Sequence, residues 1–410
     1  MGVKKRVVFI LQSTSFGGAE QMTLDVLKSV DYEKCAVCLV SVEDILSPRL
    51  SRLGLPVECI PSPPRRGPLN GLGRWAGRYN GGRRQVFAAW VRFLKQLRPD
   101  KIVLGNAFYH FSLSEVLAAS RAARGDLYMI ENTVPLEPPP RSSRLHLGFV
   151  PGVGLWWYKL TLHLRARGYV VRGILAASEG VKQRAVSWGY PPDKVWVTRH
   201  GIDTSRFVPA TQERSGKLRG TFGVPEDATV VVSTSRLSTE KCVDRLIRAF
   251  DQLAQAHDNL WLLLIGDGPL KSEITNLVES SNHSRRIKFL GHLEDVVPAL
   301  QASDILVLPS ESESLGLALL EAMAAQLVCV ATRTMGPTEI IEPGQDGLLV
   351  DISSDGVLAG LRKALEMSPQ NRRDMGRSAR QTVLERFRVE DAVRKKLTLL
   401  GIDQVEPNGS

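Results

Sequence analysis

The distribution of apolar residues along the chain predicts a regular alternation of buried strands and amphipathic helices. Short apolar runs of strand length recur through the 410 residues. Between them lie longer segments whose apolar positions repeat every three or four residues, as on one face of a helix. Strands alternating with helices indicate parallel sheets that are covered by helices on both faces. The clearest runs are RVVFIL (6–11), CAVCLVSV (35–42), KIVLG (101–105), TVVVSTSRL (229–237), LWLLLI (260–265) and DILVL (304–308).

These runs fall into two sets, because the composition changes near residue 208, where FVPATQERSGKLRG has the character of a hinge. We therefore predict an N-terminal domain over 1–207 and a second domain that begins at residue 208. The expected fold class is α/β, with two doubly wound, Rossmann-like parallel sheets. Ligands in such folds bind beyond the carboxyl ends of the strands, so two domains facing a cleft would bring their strand-end loops to one place.

Residues 309–325, PSESESLGLALLEAMAA, follow the run DILVL and form the clearest strand–loop–helix unit. The amide groups at the start of a helix make a site for an anion such as phosphate. Glu313 precedes that helix and Glu321 lies about one turn inside it. Carboxylates beside an anion site are explained if they accept hydrogen bonds from sugar hydroxyls. The alternative is an ordinary helix start capped by Ser312 or Ser314, with Glu321 as a surface charge.

The five cysteines indicate reduced thiols and a cytosolic protein, because their number is odd and each lies in or beside an apolar segment. Cys35 and Cys38 form a CxxC pair inside a predicted strand, but no second Cys or His pair is nearby, which disfavours a metal or redox role. The first residues read as a strand and not as a signal peptide, since the apolar run after the basic flank is too short. No apolar run has the length of a membrane span.

The net charge of +10 is unevenly distributed, with +15 in residues 1–200 and −5 in residues 201–410. The basic half is expected to attract an anionic partner, such as a membrane surface or a nucleic acid. No acidic residue lies between Arg65 and Arg98, where Trp75, Tyr79 and Trp90 alternate with basic residues.

A second basic and aromatic segment, WWYKLTLHLRARG (156–168), has the composition of an interfacial helix on an anionic membrane. The alternative is an ordinary domain helix whose aromatic residues pack inward. Recognition of nucleic acid is disfavoured, because no nucleic-acid motif accompanies the charge.

A series of short motifs, in order, makes the C-terminal set similar to known enzymes. The form ESLGLALLEAMA resembles the E-x7-E motif of the retaining GT-B glycosyltransferases of glycosyltransferase family 4. FGGAE (16–20) resembles the N-terminal glycine loop of that family. The similarity covers residues 200–390, and it reaches the N-terminal half only through this loop and the strand pattern. The supporting segments are HGID with Phe207, SRLSTEK (235–241), GDGP (266–269), FLG (289–291), PTEII (337–341) and DGLLV (346–350).

The resemblance implies a GT-B fold and a site for a nucleotide-sugar donor in the C-terminal domain. Arg236 and Lys241 would hold the donor diphosphate, as cations matched to an anionic leaving group. The amides of Gly316 and Leu317 would complete this phosphate site. Glu313 would contact hydroxyls of the donor sugar. Arg236, Lys241 and Glu313 are thus the catalytic assignments in this domain.

The remaining donor contacts are also implied by the resemblance. Glu321 would accept hydrogen bonds from the ribose hydroxyls. Gly17 and Gly18 would close over the phosphates from the N-terminal domain. The nucleobase would be held largely by backbone around Gly266 and in the segment Leu290–Leu293. The last helical segment, residues 385–410, would cross back to the N-terminal, acceptor-binding domain, so that the C-terminal domain covers 208–384.

The implied chemistry is transfer of a sugar with retained anomeric configuration, and its main requirement is stabilisation of the departing phosphate. The chain contains no Asp-x-Asp motif. This fits the metal-independent style of the fold, in which Arg and Lys replace the cation. We therefore expect neither a metal nor a cofactor besides the donor itself.

The sequence departs from the family pattern at several positions. Ser235 and Cys242 replace glycines around the Arg-to-Lys segment, and His200 replaces the usual Asn. Many relatives carry a His after the strand that corresponds to DLYMIEN, near the reacting sugar. Here Asn132 holds that place, so either Asn132 supplies the polar contact or another residue does, with His110 as a candidate.

The leading hypothesis is therefore a cytoplasmic retaining glycosyltransferase, peripheral on the inner face of a membrane, with a lipid-linked or cell-surface polysaccharide acceptor. The missing histidine leaves open a catalytically impaired scaffold that binds nucleotide-sugar. An epimerase or phosphorylase on the same fold is a third alternative, which no residue pattern favours. The sequence leaves the sugar, the base and the acceptor undetermined.

Overall fold

The chain forms two compact units in the computed structural model, which describes residues 4–11, 18–41, 46–62, 83–105, 113–124, 126–132, 171–187 and 190–402. The first unit comprises Met1–Arg199 and Val393–Ser410, and the second comprises His200–Ala392. The sequence placed these divisions near residues 208 and 385. Each unit has its own sheet of parallel strands with helices, which confirms the predicted α/β class with two parallel-sheet domains.

Seven strands form the sheet of the first unit: β1 (Lys5–Leu11), β2 (Cys35–Ser41), β3 (Val57–Pro61), β4 (Lys101–Gly105), β5 (Leu127–Glu131), β6 (Gly173–Ala176) and β7 (Val195–Val197). They lie in the order β3-β2-β1-β4-β5-β6-β7, and every neighbouring pair is parallel. Its described helices are α1 (Gly18–Lys28), α2 (Ser47–Arg52), α3 (Arg83–Leu97), α4 (Leu113–Ala122) and α5 (Glu179–Ser187).

The central strands of this sheet are the continuous apolar runs of the sequence. Val8 and Ile10 of β1 and Ile102 and Leu104 of β4 are completely buried. Such unbroken apolar strands are expected where a parallel sheet is covered on both faces.

Trp90 in α3 also faces this core. Its ring is almost completely buried and meets Phe93 edge to face, with 6.0 Å between the ring centroids. The alternation of aromatic and basic residues therefore does not place Trp90 on an exposed membrane-binding surface. Trp75, Tyr79 and the segment 156–168 lie outside the described residues, and so does His110.

The CxxC pair lies inside β2, where both thiols are free and buried. Residues three apart in a strand point to opposite faces, so Cys35 and Cys38 do not converge on one metal ion. Burial raises the pKa of the Cys38 thiol to about 12, which makes the reactive thiolate scarce at neutral pH. Both observations agree with a structural role for the pair.

Lys396 is the most unusual charged residue of the first unit. It lies on α14 (Val389–Leu400) and is almost completely buried. Its Nζ donates to the backbone oxygen of Arg199 at 2.8 Å. Desolvation lowers the pKa of this lysine to about 7, against the opposing effect of Asp25.

Six strands form the sheet of the second unit: β8 (Thr229–Thr234), β9 (Leu260–Ile265), β10 (Ile287–Gly291), β11 (Ile305–Leu308), β12 (Val328–Thr332) and β13 (Leu348–Val350). Their order is β10-β9-β8-β11-β12-β13, again parallel throughout. The helices are α6 (Gln212–Thr221), α7 (Val243–Leu253), α8 (Lys271–Glu279), α9 (Val297–Gln301), α10 (Leu317–Ala324), α11 (Met335–Ile340), α12 (Ser354–Glu366) and α13 (Pro369–Arg386).

Alternate residues of β8 enter two separate hydrophobic clusters, one on each face of the second sheet. Val230 and Val232 pack in the cluster that contains α10 and α13. Val231 packs in the cluster that contains α7 and α12. Because side chains alternate along the strand, β8 contributes to the packing of the helices on both faces of the sheet.

The glycine of the HGID segment, Gly201, is required for steric reasons. Ile202 forms an isolated parallel bridge with Arg388, and its N–H donates to the oxygen of Phe387 at 2.8 Å. A Cβ on Gly201 would lie 2.3 Å from the Cα of Val389. Only glycine allows the two segments to pass this closely.

Among the described residues, no helix combines the length and the apolar character that a membrane crossing requires.

Candidate functional site

The order of the strands creates a candidate site in the second unit. β8 lies between β9 and β11, so the chain reverses direction across the sheet at β8. In parallel α/β sheets, the carboxyl ends of the strands at such a switch point are where ligands bind. The segment after β8 carries SRLSTEK, and the segment after β11 carries PSESESLG. The topology therefore brings together the two motifs that carry most of the predicted site residues.

Lys241 and Glu313 are in direct contact. The ammonium nitrogen of Lys241 lies 2.5 Å from Oε1 of Glu313, and the hydroxyl of Ser310 donates to the same oxygen at 3.0 Å. The two ionic side chains are mostly buried, with 19% and 11% of their surfaces exposed. Ion pairs with so little exposure need good geometry and extra hydrogen bonds, and Ser310 supplies one.

A second ion pair joins the same two segments. Nη2 of Arg245, in the first turn of α7, donates to Oε1 of Glu311. The backbone amide of Glu311 donates to the oxygen of Glu240 at 2.8 Å. Glu311 therefore ties its loop to the segment that carries Lys241.

The helix α10 begins without a side-chain cap. Its N-cap is Gly316, at a φ of 93° in the left-handed region that favours glycine. Among the described residues, neither Ser312 nor Ser314 bonds to the start of the helix, so the capping alternative is wrong. The amide of Leu317 thus opens the first turn of a helix whose N-cap has no side chain that could compete with an anion.

Glu321 occupies a deep position one turn into α10, although part of its surface remains accessible. Burial raises the pKa of its carboxyl to about 7, and the guanidinium of Arg206 opposes that rise. Because Glu321 is half-buried, it is not the freely solvated surface charge of the alternative. Arg206 itself pairs with Asp295 at 2.9 Å.

Glycine is required where the loops after β8 and β9 meet. Gly266 has a φ of 150°, and a Cβ there would lie 1.8 Å from the oxygen of Ser235. Its amide donates to the oxygen of Gly291 at 2.8 Å, which joins this loop to the end of β10, next to the half-buried Leu290. The strand ends at this edge therefore form one continuous backbone surface.

Arg236 lies in the loop after β8 and is exposed. Among the described residues, no side chain pairs with its guanidinium. Cys242 follows Lys241 at a φ of 49°, in the left-handed region that favours glycine. The segment from Arg236 to Cys242 thus presents two cations around a tight left-handed turn.

The predicted residues of the first unit are only partly described. Gly17 lies outside the described residues, whereas Gly18 begins α1 and is exposed. Asn132 follows β5 directly and is half-buried. Their assigned roles stay predictions.

Besides Arg245 and Glu311, three contributors to the site were not predicted. The hydroxyl of Ser310 donates to the carboxylate of Glu313, and the guanidinium of Arg206 opposes the rise in the pKa of Glu321. The amide of Gly336 donates to the backbone oxygen of Glu313 at 3.0 Å. A Cβ on Gly336 would lie 2.2 Å from the backbone oxygen of Leu315, so only glycine allows α11 to pack this closely against the loop before α10. Its position directly before PTEII was the only sequence signal for such a contact.

Comparison with known proteins gives one family match, and it lies within the second unit. Residues 215–382 match the family model of Glycosyl transferases group 1, so the second unit carries a domain of that family. The N-acetyl-alpha-D-glucosaminyl L-malate synthase of Bacillus anthracis is 34% identical over 183 residues, which are 45% of this chain and 48% of that protein. The GDP-mannose-dependent monoacylated alpha-(1-6)-phosphatidylinositol monomannoside mannosyltransferase of Corynebacterium glutamicum is 33% identical over 189 residues, 44% of this chain and 49% of its own. The chain thus spans about half the length of the curated relatives it matches.

Similar solved structures extend over nearly the whole chain. Alr3699/HepE of Anabaena, in complex with UDP, has a TM-score of 0.74 and 22% identity, and the match covers 97% of this chain and 99% of that one. WaaG, a glycosyltransferase involved in lipopolysaccharide biosynthesis, has a TM-score of 0.69 and 20% identity, with 96% and 99% covered. The expected GT-B fold is therefore confirmed.

Proposed function

We propose, from the glycosyl transferases group 1 domain that residues 215–382 form, that this chain transfers a sugar from a nucleotide-sugar donor. The observation that carries the proposal is the contact of Lys241 with Glu313 at the switch point of the second sheet. An ammonium suits the phosphates of the donor, and a carboxylate suits the hydroxyls of its sugar. Because the two groups are in contact, one site would bind the phosphate and the sugar on either side of the glycosidic bond that breaks.

The other residues at this edge fit the same donor. Arg236 supplies a second cation, and the amides of Gly316 and Leu317 supply hydrogen-bond donors for the phosphates. Glu321 lies one turn further along α10, where it would accept hydrogen bonds from the ribose. The backbone around Gly266 and Leu290 would hold the base.

The mechanism that we propose stabilises the leaving group with groups of the chain. As the glycosidic bond lengthens, negative charge develops on the departing diphosphate, and Lys241 and Arg236 lower the energy of that state. A metal ion is not required for this step in the proposal, and retention of anomeric configuration follows from the resemblance to family 4. In the first unit we assign Asn132 to a polar contact with the reacting sugar, and Gly17 and Gly18 to the phosphates.

The acceptor that we propose is lipid-linked or a growing cell-surface polysaccharide. The names of two similar proteins support this class, one acting on a monoacylated phosphatidylinositol mannoside and the other involved in lipopolysaccharide biosynthesis. The net charge of +15 in residues 1–200 is suited to an anionic membrane surface. We therefore propose peripheral binding to the cytoplasmic face of a membrane.

A donor panel tests the transferase proposal. The full chain is incubated with UDP-, GDP- and ADP-sugars and lipid-linked or oligosaccharide acceptors, with and without a metal chelator. Nucleotide release is measured together with the anomeric configuration of the product by NMR. We expect one donor class to give a product of unchanged configuration, with the chelator having no effect.

Two other results would overturn parts of the proposal. Donor binding without turnover across the acceptor panel would instead support the catalytically impaired scaffold. Absence of both binding and nucleotide release would contradict the proposed function altogether.

Vesicle binding tests the membrane proposal separately. We expect salt-sensitive binding to vesicles with an anionic lipid, weakened when Arg83, Arg84, Arg165 and Arg167 are all replaced by Gln. Equal binding to anionic and neutral vesicles would contradict it.

A further inference from the structure

Two ion pairs attach the loop 309–316 to the segment 238–245. In the proposed reaction the donor competes for the cation of only one of them. Lys241 pairs with Glu313, and Arg245 pairs with Glu311. In the proposed function Lys241 also binds the donor diphosphate. The donor diphosphate carries more negative charge as a whole than one carboxylate, so it competes for the ammonium of Lys241.

The pair of Arg245 with Glu311 has no such competitor in the proposed mechanism. Arg245 lies in the first turn of α7, and 18% of its side chain is exposed. Its Nη1 is buried and has no hydrogen-bond partner in the described part of the chain. Glu311 therefore supplies the charge compensation that this guanidinium needs, and removal of Glu311 leaves the mostly buried Arg245 without it.

The backbone around this pair links it to the donor site. The amide of Glu311 donates to the oxygen of Glu240, the neighbour of Lys241, at 2.8 Å. The hydroxyl of Ser238 donates to Oε1 of Glu240 at 2.6 Å, which closes the turn. A displacement of Glu311 would therefore move the backbone on both sides of the contact between Lys241 and Glu313.

We propose that Arg245 and Glu311 form a positioning pair that holds the loop 309–316 in register with the segment 238–242 while the donor occupies Lys241. Neither residue is assigned a contact with the substrate. Without the pair, Glu313 and the amides of Gly316 and Leu317 lose their fixed distance from Lys241. This inference rests on the proposed function.

The test exchanges the two charges of the pair and measures steady-state kinetics with the donor that the wild-type protein uses. We expect Arg245→Ala and Glu311→Ala each to lower kcat/KM by about 10-fold to 100-fold, since each removes one charge-assisted contact. The exchanged variant Arg245→Glu with Glu311→Arg should recover to within about threefold of the wild type, because a positioning pair needs opposite charges and not particular partners.

The control is Arg248→Ala. Arg248 lies on the same helix and pairs at 4.0 Å with Asp244, but its side chain is 67% exposed. Exposed pairs of this kind contribute little, so this variant should keep the wild-type kinetics. Equal behaviour of Arg245→Ala and Arg248→Ala would overturn the proposal, and so would an exchanged variant that is no better than Arg245→Ala.

Hydrogen exchange separates this proposal from the proposed function. The amide of Glu311, which donates to the oxygen of Glu240, should exchange at least about 10-fold faster in Arg245→Ala than in the wild type or in Arg248→Ala, with no donor present. If the wild type turns over no donor, the proposed function fails, while the exchange data still decide whether the pair holds the loop. Unchanged exchange in Arg245→Ala would overturn the positioning role.

Discussion

Nζ of Lys241 lies 2.5 Å from Oε1 of Glu313, although 72 residues separate the two positions in the chain. The contact arises because β8 and β11 are neighbours in the sheet and each residue follows its strand in a short loop. Each charge lowers the energetic cost of burying the other. The same contact places a phosphate-binding cation beside a sugar-binding carboxylate, which is the geometric basis of the proposed donor site.

Replacement of Lys241 by Met should remove most of the donor affinity. The change deletes a charge-assisted contact to the diphosphate and leaves Glu313 without its cation. We expect kcat/KM to fall by about 30-fold to 1000-fold, in the range measured for loss of one group that stabilises developing charge. Kinetics and isothermal titration with the preferred donor provide the measurement.

Lys217→Ala is the matched control for this change. Lys217 is an exposed lysine of the same unit, paired with Glu213 one turn away. It should keep wild-type affinity. A Lys241→Met protein that binds donor as well as Lys217→Ala does would show that Lys241 has no part in binding.

The ionisation of Glu321 should appear in the pH dependence of donor binding. Its pKa is raised to about 7 by burial, so the carboxylate is lost as the pH falls through this value. We expect the donor KM to rise below about pH 7, approaching tenfold per pH unit if only the carboxylate binds ribose. Glu321→Gln should have a high KM at every pH and no inflection there. An inflection that survives in Glu321→Gln would assign it to another group.

Removal of Arg206 should shift that inflection. The guanidinium favours the ionised form of Glu321, so Arg206→Gln should move the midpoint of the KM profile to higher pH. The change in midpoint is read from the same titration of KM against pH. An unchanged midpoint would show that Arg206 has no electrostatic effect on Glu321.

Gly266→Ala should destabilise the second unit. The new methyl group would lie 1.8 Å from a backbone oxygen, at a φ of 150° that other residues rarely adopt. We expect a loss of about 2 to 4 kcal/mol in the free energy of unfolding. Gly220→Ala is the control, since Gly220 lies in α6 with nothing within 4 Å of the added Cβ, and it should gain about 0.5 to 1 kcal/mol. Urea unfolding of both variants decides the matter, and equal stabilities would contradict this account of Gly266.

Lys396 should make the stability of the first unit depend on pH. The pKa of this lysine is lowered to about 7 in the folded chain but returns to its ordinary value near 10.4 on unfolding. Between these values the unfolded chain binds the extra proton, so the folded state gains stability as the pH rises.

We therefore expect Lys396→Met to be more stable than the wild type at pH 7, with an advantage that shrinks by about 3 to 5 kcal/mol towards pH 10. Chemical unfolding at several pH values measures this difference. Lys395→Met changes the exposed neighbouring lysine and should show no such trend. A pH-independent difference for Lys396→Met would mean that its ammonium is not desolvated.

The sequence predicted the strands and the donor motifs well for a physical reason. Parallel strands covered on both faces must be continuously apolar, and the runs that became β1, β4, β8 and β11 are of this kind. Lys241 and Glu313 were assigned because their loops carry ordered motifs similar to a known family. That assignment did not depend on seeing the two residues meet.

The parts that the sequence did not predict depend on tertiary contacts. The partners Arg245 and Glu311 are 66 residues apart, and an ion pair across that separation leaves no local pattern. The serines before α10 have a high preference for helix caps, but the turn requires the left-handed conformation that Gly316 supplies. Spacing alone also did not show that Trp90 faces the core.

The most direct test of the central claim is a thermal-shift titration of the full chain with UDP-, GDP- and ADP-sugars. A ligand that binds only the folded state raises Tm in a concentration-dependent manner. We predict a saturable rise with one nucleotide class, retained in Lys217→Ala and absent in Lys241→Met. No rise with any of the donors at millimolar concentration, in a wild-type protein that unfolds cooperatively, would contradict the claim that the second unit binds a nucleotide-sugar.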